Sequence, residues 1–378
     1  MNLEQHLYSD SPKHILALDG GGVRGVVSLA FLERVEQLLS EHYGTGEDFR
    51  LCDHFSLIGG TSTGAMIATG LALGYPVSQL IDLYATMAAD AFGKSRWYGG
   101  IIAPKFPTEP LMNVIGEQMG DVTLGSDQLR CGLGIVAKRL DTNSVWLFHN
   151  HPRGPFYGGG SEGDDIGFTA NRDLPLLNLL RASTAAPTYF EPEFLTIAPG
   201  VEGAFVDGGV SPHNNPALAM FMLATIEGYG FRWPTGTDKL NVLSVGTGTI
   251  QRRMGESINR RTSAAKVALH SMLSLMGDCD TQVQTLMQWM GECRTPSTID
   301  SEIGDLRTDQ LGAAPLFRYA RYNVQLERQW LESNLGHAID EKTVRRISRM
   351  DQPDVVADLL AIGRRAAVTQ VASEQLTL

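Results

Sequence analysis

Three short apolar runs in the first 209 residues each end in a glycine-rich turn, and this repeated junction limits what the chain can fold into. His14 to Leu18 (HILAL) runs into Asp19-Gly20-Gly21-Gly22-Val23-Arg24-Gly25. His54 to Ile58 runs into Gly59-Gly60-Thr61-Ser62-Thr63-Gly64, and Ala204 to Val206 runs into Asp207-Gly208-Gly209. Helical periodicity follows the first two turns. From Val26 to Leu39 the apolar residues Val27, Phe31, Val35 and Leu38 recur at helical spacing, with Glu33, Arg34, Glu36 and Gln37 between them. Ala65 to Leu73 reads as a buried helix and Val77 to Ala89 as another. Leu133 to Arg139 and Val145 to His149 read as a hairpin about Asp141-Thr142-Asn143, and Leu240 to Val245 as a buried strand. Strands alternating with helices predict an α/β fold, with a mostly parallel sheet covered on both faces. In such sheets sites form where strands end, and the glycine turns lie there.

Composition removes several alternatives. At 378 residues and 43% hydrophobic, the chain can bury a sizeable core, and it has 41 glycines. No apolar run approaches the ~20 residues that span a bilayer, and Met1 to Pro12 is polar, without the apolar centre of a signal peptide. Cys52, Cys131, Cys279 and Cys293 are scattered, so neither a zinc site nor a disulfide framework is expected. No metal or cofactor is expected, and the reading places the protein in the cytoplasm. The net charge of −11 argues against duplex nucleic acid as a partner.

The glycine turns carry the chemistry. In Gly20-Gly21-Gly22-Val23-Arg24-Gly25, consecutive glycines let successive N–H groups face one space at a helix start. Such a loop suits a phosphate or the oxyanion of an acyl-transfer intermediate. Gly20, Gly22 and Gly25 also match the G-x-G-x-x-G of dinucleotide sites, so a nucleotide-binding protein is the alternative reading. Gly60-Thr61-Ser62-Thr63-Gly64 matches G-x-S-x-G, the elbow that exposes a serine nucleophile between strand and helix. Taken alone, it is also a tight turn with Ser62 as a helix cap. Asp207-Gly208-Gly209 taken alone is a turn.

The three patterns D-G-G-G-x-R-G, G-x-S-x-G and D-G-[AG], in this order, resemble the patatin-like phospholipase family. Arg181-Ala182-Ser183-Thr184-Ala185-Ala186-Pro187, Asn214-Asn215-Pro216 and Ser244-Val245-Gly246-Thr247-Gly248 extend the resemblance over about residues 14–250. The resemblance implies a three-layer α/β/α fold and a serine lipid acyl hydrolase of glycerophospholipid esters. It implies Ser62 as nucleophile, Asp207 as base, and an oxyanion hole at Gly21 and Gly22 with the neighbouring N–H groups of the loop. Arg24 would brace that loop or meet a phosphate. No catalytic histidine is implied, although His213, His270 and His337 keep a triad open. His149 and His151 are read as packing or surface residues. Bacterial members of the family activated by cyclic nucleotides in anti-phage defence extend the implication to such an activator, a membrane surface and a homo-oligomer.

The reading places a domain boundary at residue 250, with a hydrolase domain over 14–250 and a helical extension over 251–378 packed on or capping it. Helices are expected over Thr262 to Met276 and Thr281 to Met290. Arg252, Arg253, Arg260 and Arg261, with Lys266 and a single acid, Glu256, form a basic run. It is either a solvated loop or a regulatory anion site. Residues 92–126 and 150–170 are expected to be loops, and the glycine-rich Arg153 to Gly167 stretch and the basic run are candidate covers over the site.

Overall fold

The computed structural model describes residues 2–92, 106, 116, 120–158, 167–250, 262, 264–336 and 338–377. Its strands are β1 (Lys13–Leu18), β2 (Leu57–Thr61), β3 (Gly132–Arg139), β4 (Ser144–His149), β5 (Glu193–Ala198), β6 (Val201–Asp207), β7 (Leu240–Val245), β8 (Glu292–Cys293) and β9 (Arg318–Tyr322). Its helices are α1 (Leu3–Tyr8), α2 (Gly25–Tyr43), α3 (Thr63–Ala72), α4 (Val77–Phe92), α5 (Leu176–Thr184), α6 (Ala217–Thr225), α7 (Ala264–Met290), α8 (Arg328–Leu335), α9 (Glu341–Ile347) and α10 (Val356–Gln370).

The strands form one sheet in the order β5-β6-β3-β2-β1-β7-β9-β8, with β4 also paired to β3. Pairing is parallel throughout the centre and antiparallel where β4, β5 and β6 join. Alternate residues of β1 face opposite ways, as the two-residue strand repeat requires. Leu16 and Leu18 enter a core with Phe31 and Val35 of α2, Ile67 and Leu71 of α3, and Leu359 of α10. Ile15 and Ala17 enter a second core with Leu7 of α1, Met220 and Leu223 of α6, and Met287 of α7. This is the three-layer, mostly parallel α/β arrangement that the alternation predicts.

Three local expectations change. The second strand covers Leu57–Thr61 and not His54 to Ile58, so Gly59 and Gly60 are strand residues paired with Ala17 and Leu18. A Cβ at Gly59 would strike the Met220 side chain, so the bare backbone is what lets α6 lie close to the sheet. The two helices expected around Gly277 are one, Ala264–Met290, because Gly277 sits on an open side and costs a long helix only about 1 kcal/mol. The residues after 250 are not all helical. Arg318–Tyr322 joins β7 in parallel and extends the sheet, with Tyr319 and Tyr322 buried. The same extension supplies α10, which crosses α2 so closely that a Cβ on Gly363 would lie 2.7 Å from the Ala30 Cβ. Among the described residues, no helix is long and apolar enough to cross a membrane.

At the N-terminal ends of the parallel strands, the His14 and His54 ring centroids lie 4.0 Å apart with the rings tilted by 41°, and His54 Nε2 lies 3.2 Å from the Leu376 carbonyl. Burial, and then the neighbouring His6, lower His14 from 6.5 to about 4. The unfolded chain therefore takes up this proton as the pH falls through about 6.5, and the folded chain does so only near 4. Stability is lost across that window as the pH falls, by about 3 kcal/mol at its lower end for this one group. We predict that the unfolding free energy of His14→Gln, from urea titrations between pH 7.5 and 4.5, falls less steeply toward acid than that of the parent. Buried carboxylates act in the opposite sense but equally in both proteins. Parallel curves would show that His14 is not held neutral.

Candidate active site

Strand β3 assembles the site. Residues 134–139 pair with β4 along one edge. The other edge is shared: residues 132–136 pair with β2, and 137–139 pair with β6 running the opposite way. Thr61 therefore sits across from Val136, and Asp207 across from the next residue, Ala137. The C-terminal ends of β2 and β6 meet head to head, and the residue following Thr61 is Ser62.

Ser62 occupies the turn between β2 and α3 at φ 56°, ψ −127°. A non-glycine residue in such a conformation stores about 1–3 kcal/mol, which the surrounding contacts must hold in place. The flanking glycines make the turn feasible. A Cβ at Gly60 would collide with the Gly64 backbone, and one at Gly64 with the Leu18 carbonyl. Thr61 Oγ1 donates to the His213 carbonyl at 2.5 Å. The Ser62 N–H donates to Ser183 Oγ at 2.9 Å, and Ser183 Oγ donates in turn to the Val136 carbonyl at 2.6 Å.

Ser62 Oγ donates to Asp207 Oδ2 at 2.5 Å, and the Gly209 N–H donates to Asp207 Oδ1 at 2.7 Å. The Asp207 N–H is fixed on the Ala185 carbonyl at 3.0 Å. Burial raises the Asp207 carboxyl from 3.8 to about 6, against the lowering effect of the Ser62 and Gly209 hydrogen bonds and of the Arg181 charge. Gly208 fits where a Cβ would strike Val136.

The glycine loop closes over this pair. A Cβ built on Gly20 would lie 3.1 Å from the Ser62 Cβ. Most of the loop's N–H groups are committed. Gly20 donates to the Asn214 carbonyl at 3.1 Å, Val23 to Met350 at 2.9 Å, and Arg24 to Gly21 at 3.2 Å. The Gly25 N–H turns back onto Gly22 and Val23. Gly21 makes one long contact, 3.3 Å to Thr63 Oγ1, and among the described residues no hydrogen bond engages the Gly22 N–H. Gly22 adopts φ 57°, the left-handed region natural to glycine, and its carbonyl accepts from the buried Tyr84 hydroxyl. Arg24 Nη1 donates to the Gly248 carbonyl at 3.2 Å.

His213 holds Thr61 through its backbone, and its Nδ1 has no hydrogen-bond partner among the described residues. His270 lies on α7. His337 and the four arginines Arg252, Arg253, Arg260 and Arg261 lie outside the described residues, as do residues 159–166 of the glycine-rich stretch. His149 and His151 pack against Phe231. Among the described residues, no three His, Cys, Asp or Glu side chains are grouped to hold a metal. An open groove lined by Leu3, Leu7, Tyr8, Leu129 and Pro152 lies at the opposite ends of the strands.

Three contributors carry no signal in a local motif. Ser183 falls within the Arg181–Pro187 stretch, but only the fold shows that it holds the Ser62 N–H. Arg321 of β9 and Asp280 of α7 meet Asp19, the first residue of the glycine loop, at 2.6 Å and through a shared guanidinium at 3.2 Å. Their partners are far away in sequence, and no spacing rule points to them.

A family model described as patatin-like phospholipase matches residues 16–221. A cGAMP-activated phospholipase of Escherichia coli (strain TW11681) is 32% identical over 214 residues, which is 55% of this chain and 55% of its own. The chain thus spans about half the length of that relative. Patatin-17 of Solanum cardiophyllum is 28% identical over 275 residues, 68% of this chain and 66% of its own. The solved structure of human GIVD cytosolic phospholipase A2 in complex with methyl gamma-linolenyl fluorophosphonate covers 99% of this chain and 60% of that one, at 13% identity and a TM-score of 0.40. The family match takes in the glycine loop, Ser62 and Asp207 alike and extends over more than half of the residues, and on that extent the chain belongs to the patatin-like phospholipase family.

Proposed function

We propose that the chain is a serine lipid acyl hydrolase that cleaves carboxylic esters of glycerophospholipids at a membrane surface. The observation that carries this reading is the buried 2.5 Å hydrogen bond from Ser62 Oγ to Asp207 Oδ2. Family membership supplies the substrate class.

The chemistry follows from the arrangement. Asp207 takes the Ser62 proton as Oγ attacks the ester carbonyl, and the carbonyl oxygen gains the negative charge. The N–H groups of Gly21 and Gly22, the least committed of the loop, are the donors for that oxyanion. The intermediate collapses to acyl-Ser62, and Asp207 passes its proton to the departing alkoxide. Water then gives up a proton to Asp207 and attacks the acyl group, and Ser62 recovers its proton as the fatty acid leaves.

An ordinary aspartate is a weak base at neutral pH. Raised to about 6, Asp207 is roughly nine-tenths ionised at pH 7 yet about a hundredfold more basic than at its usual value. The glycine loop supports a nucleotide site less well, because the N–H groups of Gly20 and Val23 are already occupied by carbonyls.

A finer proposal concerns control. The bacterial relative is named for activation by cGAMP, and on that name we extend to this chain a cyclic-nucleotide activator; the role in anti-phage defence that we propose with it rests on the family resemblance alone. The test is hydrolysis of phospholipid vesicles with and without cGAMP. At least a tenfold stimulation supports the activator, and equal rates remove it without touching the catalytic assignment.

Ser62→Ala is expected to reduce hydrolysis of a short-chain ester to background while leaving the fold intact, read as an unchanged far-ultraviolet circular dichroism spectrum. It should also abolish covalent labelling by a fluorophosphonate, which attacks the same hydroxyl. Residual esterase activity above a trace would remove Ser62 as nucleophile.

Asp207→Asn is expected to lower kcat about a thousandfold, within the usual range for loss of a general base. His213→Ala should retain most of the activity, and an equal loss in the two would revive a triad.

For the parent protein, kcat/KM should fall toward acid with an apparent pKa of about 6, tenfold per pH unit below it, because protonated Asp207 cannot accept the serine proton. A limb near 4 would show that Asp207 is an ordinary carboxylate.

A further inference from the structure

Beside the dyad lies a second buried cluster of charge that takes no part in the proposed chemistry. Arg321 is 7% exposed. Its Nη1 donates to Asp19 Oδ1 at 3.2 Å and to Ser244 Oγ at 2.6 Å. Its Nη2 donates to Asp19 Oδ2 at 2.6 Å and to Asp280 Oδ1 at 3.2 Å. Asp280 Oδ1 also accepts from Asn215 Nδ2 at 2.9 Å, and Asp280 Oδ2 accepts from Gln284 at 2.8 Å.

This connectivity joins both halves of the site. Asp19 is the last residue before Gly20–Gly22, so its carboxylate fixes the direction in which the chain leaves β1 and enters the glycine loop. Asn215 ends the loop that begins after Asp207, and the preceding Asn214 carbonyl receives the Gly20 N–H at 3.1 Å. One guanidinium therefore anchors the glycine loop directly and the post-Asp207 loop through Asp280. Its planar fork matches two carboxylates at once, a geometry that a lysine ammonium cannot reproduce. Arg321 and Asp280 both lie beyond residue 221, where the family match ends.

We propose that Arg321 is a positioning residue that sets the glycine loop and the loop after Asp207 in register with Ser62, so that residues beyond the family-matched segment complete the active site. The catalytic consequence rests on the acyl-hydrolase reading; the anchoring itself does not. Donors displaced by about 1 Å from a developing oxyanion cost on the order of a hundredfold in rate. Loss of the fork should act on the chemical step and leave Asp207 and substrate binding untouched.

The experiment uses the full chain carrying Arg321→Lys, which keeps the compensating charge and loses the fork. Arg364→Lys, which alters an exposed ion pair with Glu33 on the outer helices, serves as the control. Active sites are titrated with a fluorophosphonate, so that rates refer to reactive protein only. For Arg321→Lys, kcat per titrated site on a soluble ester should fall about 10- to 100-fold, with KM within about threefold and the acid limb of the pH profile unmoved. An unchanged per-site kcat with fewer titratable sites would mean that Arg321 only supports folding, and would overturn the proposal.

Hydrogen–deuterium exchange gives the second arm. Peptides covering residues 19–25 and 208–216 should exchange faster in Arg321→Lys than in the parent or the control, whether or not the protein hydrolyses esters. Unchanged exchange in both segments would overturn the proposal by itself. If the parent neither hydrolyses esters nor reacts with the fluorophosphonate, the hydrolase reading fails, and the exchange arm still decides whether Arg321 anchors the loops.

Discussion

The site depends on one strand lending a single edge to two others. Along that edge of β3, β2 ends at Val136 and β6 ends at the adjacent Ala137. Two chain ends that approach from opposite directions are thus brought together with a fixed side-chain orientation. Side chains alternate with a period of two along a strand, so a one-residue slip of β6 would turn Asp207 to the opposite face and put a valine or a glycine in its place. The register is held well away from the site as well. Phe205 is fully buried against Trp146 and Phe148 of β4, and shifting it would empty that cluster.

The same edge accounts for how two unfavourable conformational and electrostatic features coexist. Ser62 is held at positive φ, and Asp207 is a nearly buried carboxylate. Neither is sustained by its own sequence neighbourhood. The Ser62 N–H is met by Ser183 and the Asp207 N–H by the Ala185 carbonyl, both from the C-terminal end of α5 and the turn that follows. One segment therefore secures Ser62 and Asp207 together. Burial that destabilises the Asp207 charge also makes that carboxylate basic, so the cost to stability and the benefit to the proposed reaction have one origin.

What could be read from the sequence was local, and what could not was long-range. The elbow around Ser62 is legible because a sharp strand-to-helix turn needs Gly60 and Gly64 within a few residues of the serine. The glycine loop is legible for the same reason. Taken alone, Asp207-Gly208-Gly209 reads as a turn, and its partnership with Ser62 came only through resemblance, since 145 residues separate them. The sequence reading ends β2 too early, at Ile58, because glycine is rare inside strands, and Gly59 is there to admit Met220 from α6. Strand β9 was missed because Arg-Tyr-Ala-Arg-Tyr is short and charged. Its Arg321 can be buried because it finds Asp19, 302 residues away, across the sheet. Pairwise electrostatics at that range leave no periodicity in a sequence.

The donors proposed for the oxyanion, the N–H groups of Gly21 and Gly22, come from outside the turn that carries Ser62. At the nucleophile elbow of α/β-hydrolases, part of the oxyanion hole comes from the N–H immediately after the nucleophile, so a single turn places attacking group and donor together. Here the loosely committed donors, Gly21 and Gly22, belong to a different loop, at the end of the neighbouring strand β1. The proposed donors and Ser62 then lie on separate turns, and their relative placement must be fixed by contacts outside either turn. The contacts that do so come from around the loop: Tyr84 of α4 on the Gly22 carbonyl, Thr247 on the Gly20 carbonyl, Met350 on the Val23 N–H, and Arg321 on Asp19. Two of these four lie beyond residue 250. The last third of the chain is therefore bound up with the geometry of the site, because the proposed oxyanion donors lie on a separate loop that must itself be held in place.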